Sequence, residues 1–192
     1  DHRTRVPKPP LETVLFSVDG DSMTDATLAP EGNELPLLLV VIDDSEESTV
    51  ALNYACARAK ATACRVALLR VIEPDNFMHW ASLREMAEQE AREEANHLLA
   101  RNSADVVRLS GREPVNFVRF GNRADTILEL IGERKEIAVF ILAAAKGENP
   151  GPLVSSLARN LINQSRVPIT VVPPTMTQED IDRQFSVNTQ VE

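Results

Sequence analysis

A chain of 192 residues with a formal net charge of −9 argues against nucleic acid or an anionic membrane surface as its main partner. A hydrophobic fraction of 43% with only 4% aromatics supports one α/β core with ragged ends rather than two domains. Cys56 and Cys64 lie in alanine-rich surroundings, without zinc or disulfide spacing, and read as free thiols. No apolar run reaches the length of a membrane span, and no apolar signal core follows the basic N-terminus. The expectation is a cytoplasmic protein.

Residues 1–35 mix Pro, Asp, Gly and Thr without periodicity and are expected to form a flexible extension, with one short strand or turn near Val14–Val18. The domain follows over 36–174. Leu37–Ile42 is an unbroken apolar run, which predicts a strand buried on both faces, and it ends at Asp43-Asp44-Ser45. Ser45, with Glu46 and Glu47 behind it, starts a helix to about Ala61 by capping and dipole logic. Val50, Tyr54, Ala57 and Ala61 are expected on its inner face. Val66–Ile72 is a second strand, stopped by Pro74, and Asp75–Trp80 is a loop.

A long helix is predicted from about Ser82 to Asn102, with Leu83, Ala87, Ala91, Ala95 and Leu98 inward and an acidic solvated face. Val115–Phe120 is the third strand. A helix over Ala124–Glu133 follows, with Ile127, Leu128 and Ile131 inward. Ile137–Leu142 is the fourth strand, and a helix over Pro152–Asn163 leads to the fifth at Val167–Val172. In the polar tail, 175–192, Thr177-Gln178-Glu179-Asp180 resembles a capping box that starts one short helix. Strands alternating with helices predict a single open, five-stranded parallel sheet covered on both faces, a Rossmann-like α/β fold.

Ligands in such sheets sit beyond the carboxyl ends of the strands, where the winding reverses. That topology places Asp43, the loop after Ile72 and the loop after Leu142 on one rim. In the last of these, Ala143–Gly151 leads into Pro152-Leu153-Val154-Ser155-Ser156. Proline suits the first helical position, and free N–H groups at a helix start can hold an anion. Against that, the loop is poor in glycine. Three scattered histidines assemble neither a metal site nor a nucleophile–base pair.

Three segments together resemble the universal stress protein family: Val40-Val41-Ile42-Asp43-Asp44-Ser45-Glu46-Glu47-Ser48, Val71-Ile72-Glu73-Pro74, and Ser155-Ser156-Leu157-Ala158-Arg159-Asn160-Leu161 running into Val167–Val172. The resemblance spans about residues 37–173. It implies a five-stranded domain related to the adenine nucleotide alpha-hydrolases, dimerising through its last strand and acting in stress response, in some members with bound ATP. ATP-binding members carry a loop of the form Gly-x2-Gly-x9-Gly-Ser/Thr. Here Ala143, Lys146 and Ser155 fall on the three glycine positions, Ser156 keeps the hydroxyl, and the loop is shorter.

Two readings therefore stand. In the first the chain is a homodimeric regulatory module without strong catalysis, pairing through Val167, Ile169 and Val171, with no firm cofactor. In the second it is a nucleotide switch with slow ATP hydrolysis at most. Asp43, Ser45, Val71, Lys146, Gly147, Gly151, Ser155 and Ser156 would then hold ATP with magnesium. Asp43 itself reads equally as a nucleotide contact or as a strand-end carboxylate accepting bonds from its own loop. An adenylate-forming enzyme ranks last, because that chemistry needs the glycine-rich loop.

Overall fold

Five strands lie in one all-parallel sheet in the order β3-β2-β1-β4-β5. They are β1 (Leu37–Val41), β2 (Arg65–Ile72), β3 (Val115–Phe120), β4 (Ile137–Ala143) and β5 (Ile169–Val172). The computed structural model describes residues 35–73, 81–147, 151, 154–155 and 161–186, with 81–84 as backbone alone. The expectations for the N-terminal extension, for the loop containing His79 and Trp80, for the inward placement of Leu83 and for Pro152 and Ser156 lie outside the described residues.

Alternate side chains of each strand face opposite layers, so the sheet carries two cores. Leu38, Val40, Val66, Leu68, Val139 and Ile141 pack towards α1 (Glu46–Ala61) and α2 (Ala81–Ser110). Leu37, Leu39, Ala67, Leu69, Phe140 and Leu142 pack towards α3 (Arg123–Glu133). Burial on both faces is what the unbroken apolar runs required, and every residue of β1 is buried. The register shifts once, between Leu37 and Leu38 against β4, where Ala138 is the exposed position of β4.

Ser45 caps α1, accepting the Ser48 N–H. The buried face of α1 is rotated from the one expected. Ala51, Leu52, Ala55 and Ala59 are buried with Tyr54 and Cys56, whereas Val50 and Ala57 lie at its margin and Ala61 is exposed. Small side chains dominate because α1 is covered on both flanks, by α2 and by the C-terminal helix. Burial pushes the Cys56 thiol up to about 12.

α2 runs two turns beyond the expected Asn102. Asn102 and Ser103 donate to the Leu98 and Leu99 carbonyls, and Ser110 Oγ donates to Val106 O. Polar side chains that bond back to their own helix do not end it. Gly111 does, at φ +77°, as its N–H closes on Val107 O. α3 begins at Asn122, whose side chain accepts from the Ala124 and Asp125 N–H groups. β5 starts at Ile169 rather than Val167. Pro168 has no N–H to give a ladder, although its carbonyl accepts from Phe140 N.

The segment between β4 and β5 is helical at 154–155 and again at α4 (Ile162–Gln164). The tail helix forms as α5 (Gln178–Ser186). Asp180 N donates to Thr177 Oγ1, and Thr177 N donates to an Asp180 carboxylate oxygen. That reciprocal pair is the capping box, with aspartate in place of glutamate. Buried Ile181 and an edge-on Phe185–Tyr54 contact, 5.2 Å between centroids, seat α5 on α1.

Candidate functional site

The chain winds outward from β1 through β2 to β3, then returns to β4 and β5 on the other side of β1. The reversal therefore falls between β1 and β4, and the carboxyl ends of those strands form the rim where such folds bind ligands. Asp43 leaves β1 at this rim and Ala144 leaves β4.

The β1–α1 corner is closed by its own hydrogen bonds. Asp43 Oδ1 accepts from Ser45 N at 3.0 Å and from Ser45 Oγ. Ser45 Oγ in turn accepts from Ser48 N, and Ser48 Oγ bridges Asp43 N and Val41 O. The second carboxylate oxygen of Asp43 faces Arg123 Nη1 at 3.6 Å. Asp43 and Ser45 thus serve the loop that carries them, whatever else they do.

Beyond β4, Lys146 Nζ donates to Glu46 Oε2 at 3.1 Å. Both side chains are exposed, so water competes with this pair. Gly147 and Gly151 hold φ of +106° and +90°, a region that L residues avoid. A Cβ on Gly151 would stand 3.3 Å from Ala145 Cβ, whereas one on Gly147 would meet open space. Ser155 N donates to Gly151 O. Ser155 is exposed, and Ser156 lies outside the described residues. The side chain of Val71 is buried in the α3-side core.

These residues fit a nucleotide in part. Glycine at 147 and 151 leaves backbone open to an anion, but the Lys146 ammonium faces Glu46, the Ser155 amide is spent on Gly151, and the Asp43 carboxylate already has three partners. Among the described residues no cluster of three or more His, Cys, Asp or Glu could hold a metal ion.

Sequence reasoning missed a second feature of this end of the sheet. A cavity of about 670 Å³ opens between α2 and the ends of β1 and β2, lined by Arg70, Arg101 and Arg123, with Val71 also among its lining residues. One signal could have found it. Arg70 is the one charge inside the otherwise apolar run Val66–Ile72, and a cation there needs a reason to be at the strand end.

Among the described residues no helix is long and apolar enough to cross a membrane. No curated relative matches the chain. Among solved structures, the universal stress protein UspA from Lactobacillus plantarum is 18% identical and superposes with a TM-score of 0.58, covering 73% of this chain and 99% of that one. A universal stress protein in complex with cAMP is 17% identical with a TM-score of 0.54, over 72% of this chain and 97% of that one. The Archaeoglobus fulgidus universal stress protein in complex with dAMP is 18% identical with a TM-score of 0.50, over 72% and 97%. At these identities the likeness is one of fold. A model of the universal stress protein family matches residues 37–173, the whole span from β1 to the end of β5, and the chain belongs to that family.

Proposed function

We propose that the chain is a homodimeric regulatory or protective module of the stress response, working in the cytoplasm without strong catalysis of its own. The observation that carries the dimer is β5. It is an edge strand of the sheet, and Val171 presents 46% of its surface to solvent. An apolar strand with unpaired backbone groups is a liability that a twofold copy removes. Val171→Asp is expected to yield monomer in light scattering, while unchanged mass would remove β5 as the interface.

A second reading keeps the fold and adds a nucleotide switch, with slow ATP hydrolysis at most. It is favoured by the left-handed Gly147 and Gly151 at the β4 loop and by relatives solved with cAMP and dAMP. ATP with magnesium would then lie over Asp43, Ser45 and Val71, with its phosphates at Lys146, Gly147, Gly151, Ser155 and Ser156. To bind, it must draw Lys146 from Glu46. Calorimetry with ATP and magnesium tests this reading, and no heat at millimolar ligand would end it.

A further inference from the structure

The α2 cavity is walled by three guanidinium groups from three different elements: Arg70 on β2, Arg101 on α2 and Arg123 at the start of α3. A guanidinium carries five N–H donors in a fixed fork. Most of these have no acceptor. Arg70 donates once, to Ile42 O at 3.3 Å, and lies 4.0 Å from the exposed Asp44 carboxylate. The Arg123 guanidinium is 3.6 Å from Asp43 and 3.8 Å from Glu73, within ion-pair range and beyond hydrogen-bond reach of either. Among the described residues no hydrogen bond or ion pair engages Arg101.

Arg70 and Arg123 are only 24% and 27% exposed. Their spare donors are therefore partly withdrawn from water, which leaves them short of acceptors unless a ligand supplies them. We infer that this cavity binds a small phosphomonoester, its phosphate on the Arg70, Arg101 and Arg123 guanidiniums and its body along the α2 face at Ala91, Ala95 and Leu98.

Phosphate is the anion whose several acceptor oxygens match forked donors arriving from separate directions. The carboxylates in the wall shape the choice further. Asp44 and Glu73 are each within ion-pair range of an arginine. Glu94, on the same face of α2, has no partner among the described residues. An unpaired acceptor beside the phosphate seat favours an ester carrying a hydroxyl or amino group over the bare inorganic ion. The volume suits such a molecule, since small-ligand pockets run from roughly 300 to 1,000 Å³.

This inference does not rest on the nucleotide reading. Its phosphate seat is the arginine cavity rather than the β4 loop, although the two sites share Val71 and meet at the Arg123–Asp43 pair, and its probes need no base. Calorimetry on the full chain would use glycerol 3-phosphate, glucose 6-phosphate and inorganic phosphate in low salt. Both esters are expected to release heat and to bind more tightly than inorganic phosphate. Arg101→Gln and Arg123→Gln are each expected to weaken binding roughly tenfold, with thermal melts confirming that the variants fold. Arg183→Gln, on the far surface of α5, is expected to change nothing. Because Arg101 is exposed, its variant keeps the test readable even if Arg123→Gln disturbs the rim. No heat from any probe at millimolar concentration, or binding that survives both cavity variants unchanged, would overturn the assignment. Loss of ATP binding alone would leave it standing.

Discussion

The guanidinium of Arg123 stands 3.6 Å from the carboxylate of Asp43, linking the first turn of α3 to the corner that follows β1. Through the same side chain and its own backbone N–H, Arg123 also meets Glu73 at the end of β2. One residue thereby ties together three segments of the rim.

The two sides of that contact should not be equal in stability. Asp43 accepts two hydrogen bonds from Ser45, and losing them leaves half-buried donors unmatched. Asp43→Ala is expected to cost about 2 kcal/mol in urea unfolding. Arg123→Gln forfeits two ion pairs, to Asp43 and Glu73, that are both too long for hydrogen bonds, while its backbone N–H still reaches Glu73, and is expected to cost less than about 1 kcal/mol. Equal losses would mean that the ion pair, rather than the Ser45 cap, holds the corner.

Gly147→Ala and Gly151→Ala separate backbone strain from crowding. Both positions hold φ values unfavourable to a side chain, so each substitution is expected to cost at least about 1 kcal/mol. Gly151→Ala should cost more, because its new methyl meets Ala145 Cβ at 3.3 Å. Paired denaturant titrations of the two variants would read the difference.

Glu136 sets an acid limit on stability. Its hydrogen bond from Arg134, helped by its own backbone N–H, holds the carboxyl below its ordinary value of 4.5. A depressed folded-state value means the carboxylate stabilises the fold above the unfolded pKa, and this contribution is lost as pH falls through the folded one. Glu136→Gln is therefore expected to lower stability at pH 7 and to have little effect near pH 2. Urea midpoints at both values would check the sign.

The thiols offer a direct test of packing. Cys56 is buried with its pKa at about 12, while Cys64 is part-exposed. A thiol reagent at pH 8 is expected to label Cys64 alone in the native protein and both after denaturation. Prompt labelling of Cys56 would mean that α1 does not stay seated on the sheet.

The strands were legible because a parallel sheet buries both faces, so Leu37–Ile42 and Ile137–Leu142 carry their structure as plain apolar runs. Helix starts were legible where capping is local, as at Ser45 and Thr177. What escaped depends on partners distant in sequence. The buried face of α1 follows from neighbours on two sides, which favour Ala51, Ala55 and Ala59 over the bulkier stripe through Val50. The end of α2 was misread because Asn102 and Ser103 look like a stop, while their side chains in fact bond to the preceding turn. The arginine cavity is assembled from three elements, and only Arg70 hinted at it. Lys146 was expected at the rim, but no local pattern disclosed its pairing with Glu46.

The docking of α5 bears on where the chain can be cut. The family match stops at residue 173, which invites a shortened version ending there. Such a fragment would strip Phe185 and Ile181 from α1 and leave the ring of Tyr54 wet, adding a sticky flank to the molecule. Expression of the folded unit should retain the sequence through Ser186, and any affinity handle belongs after it.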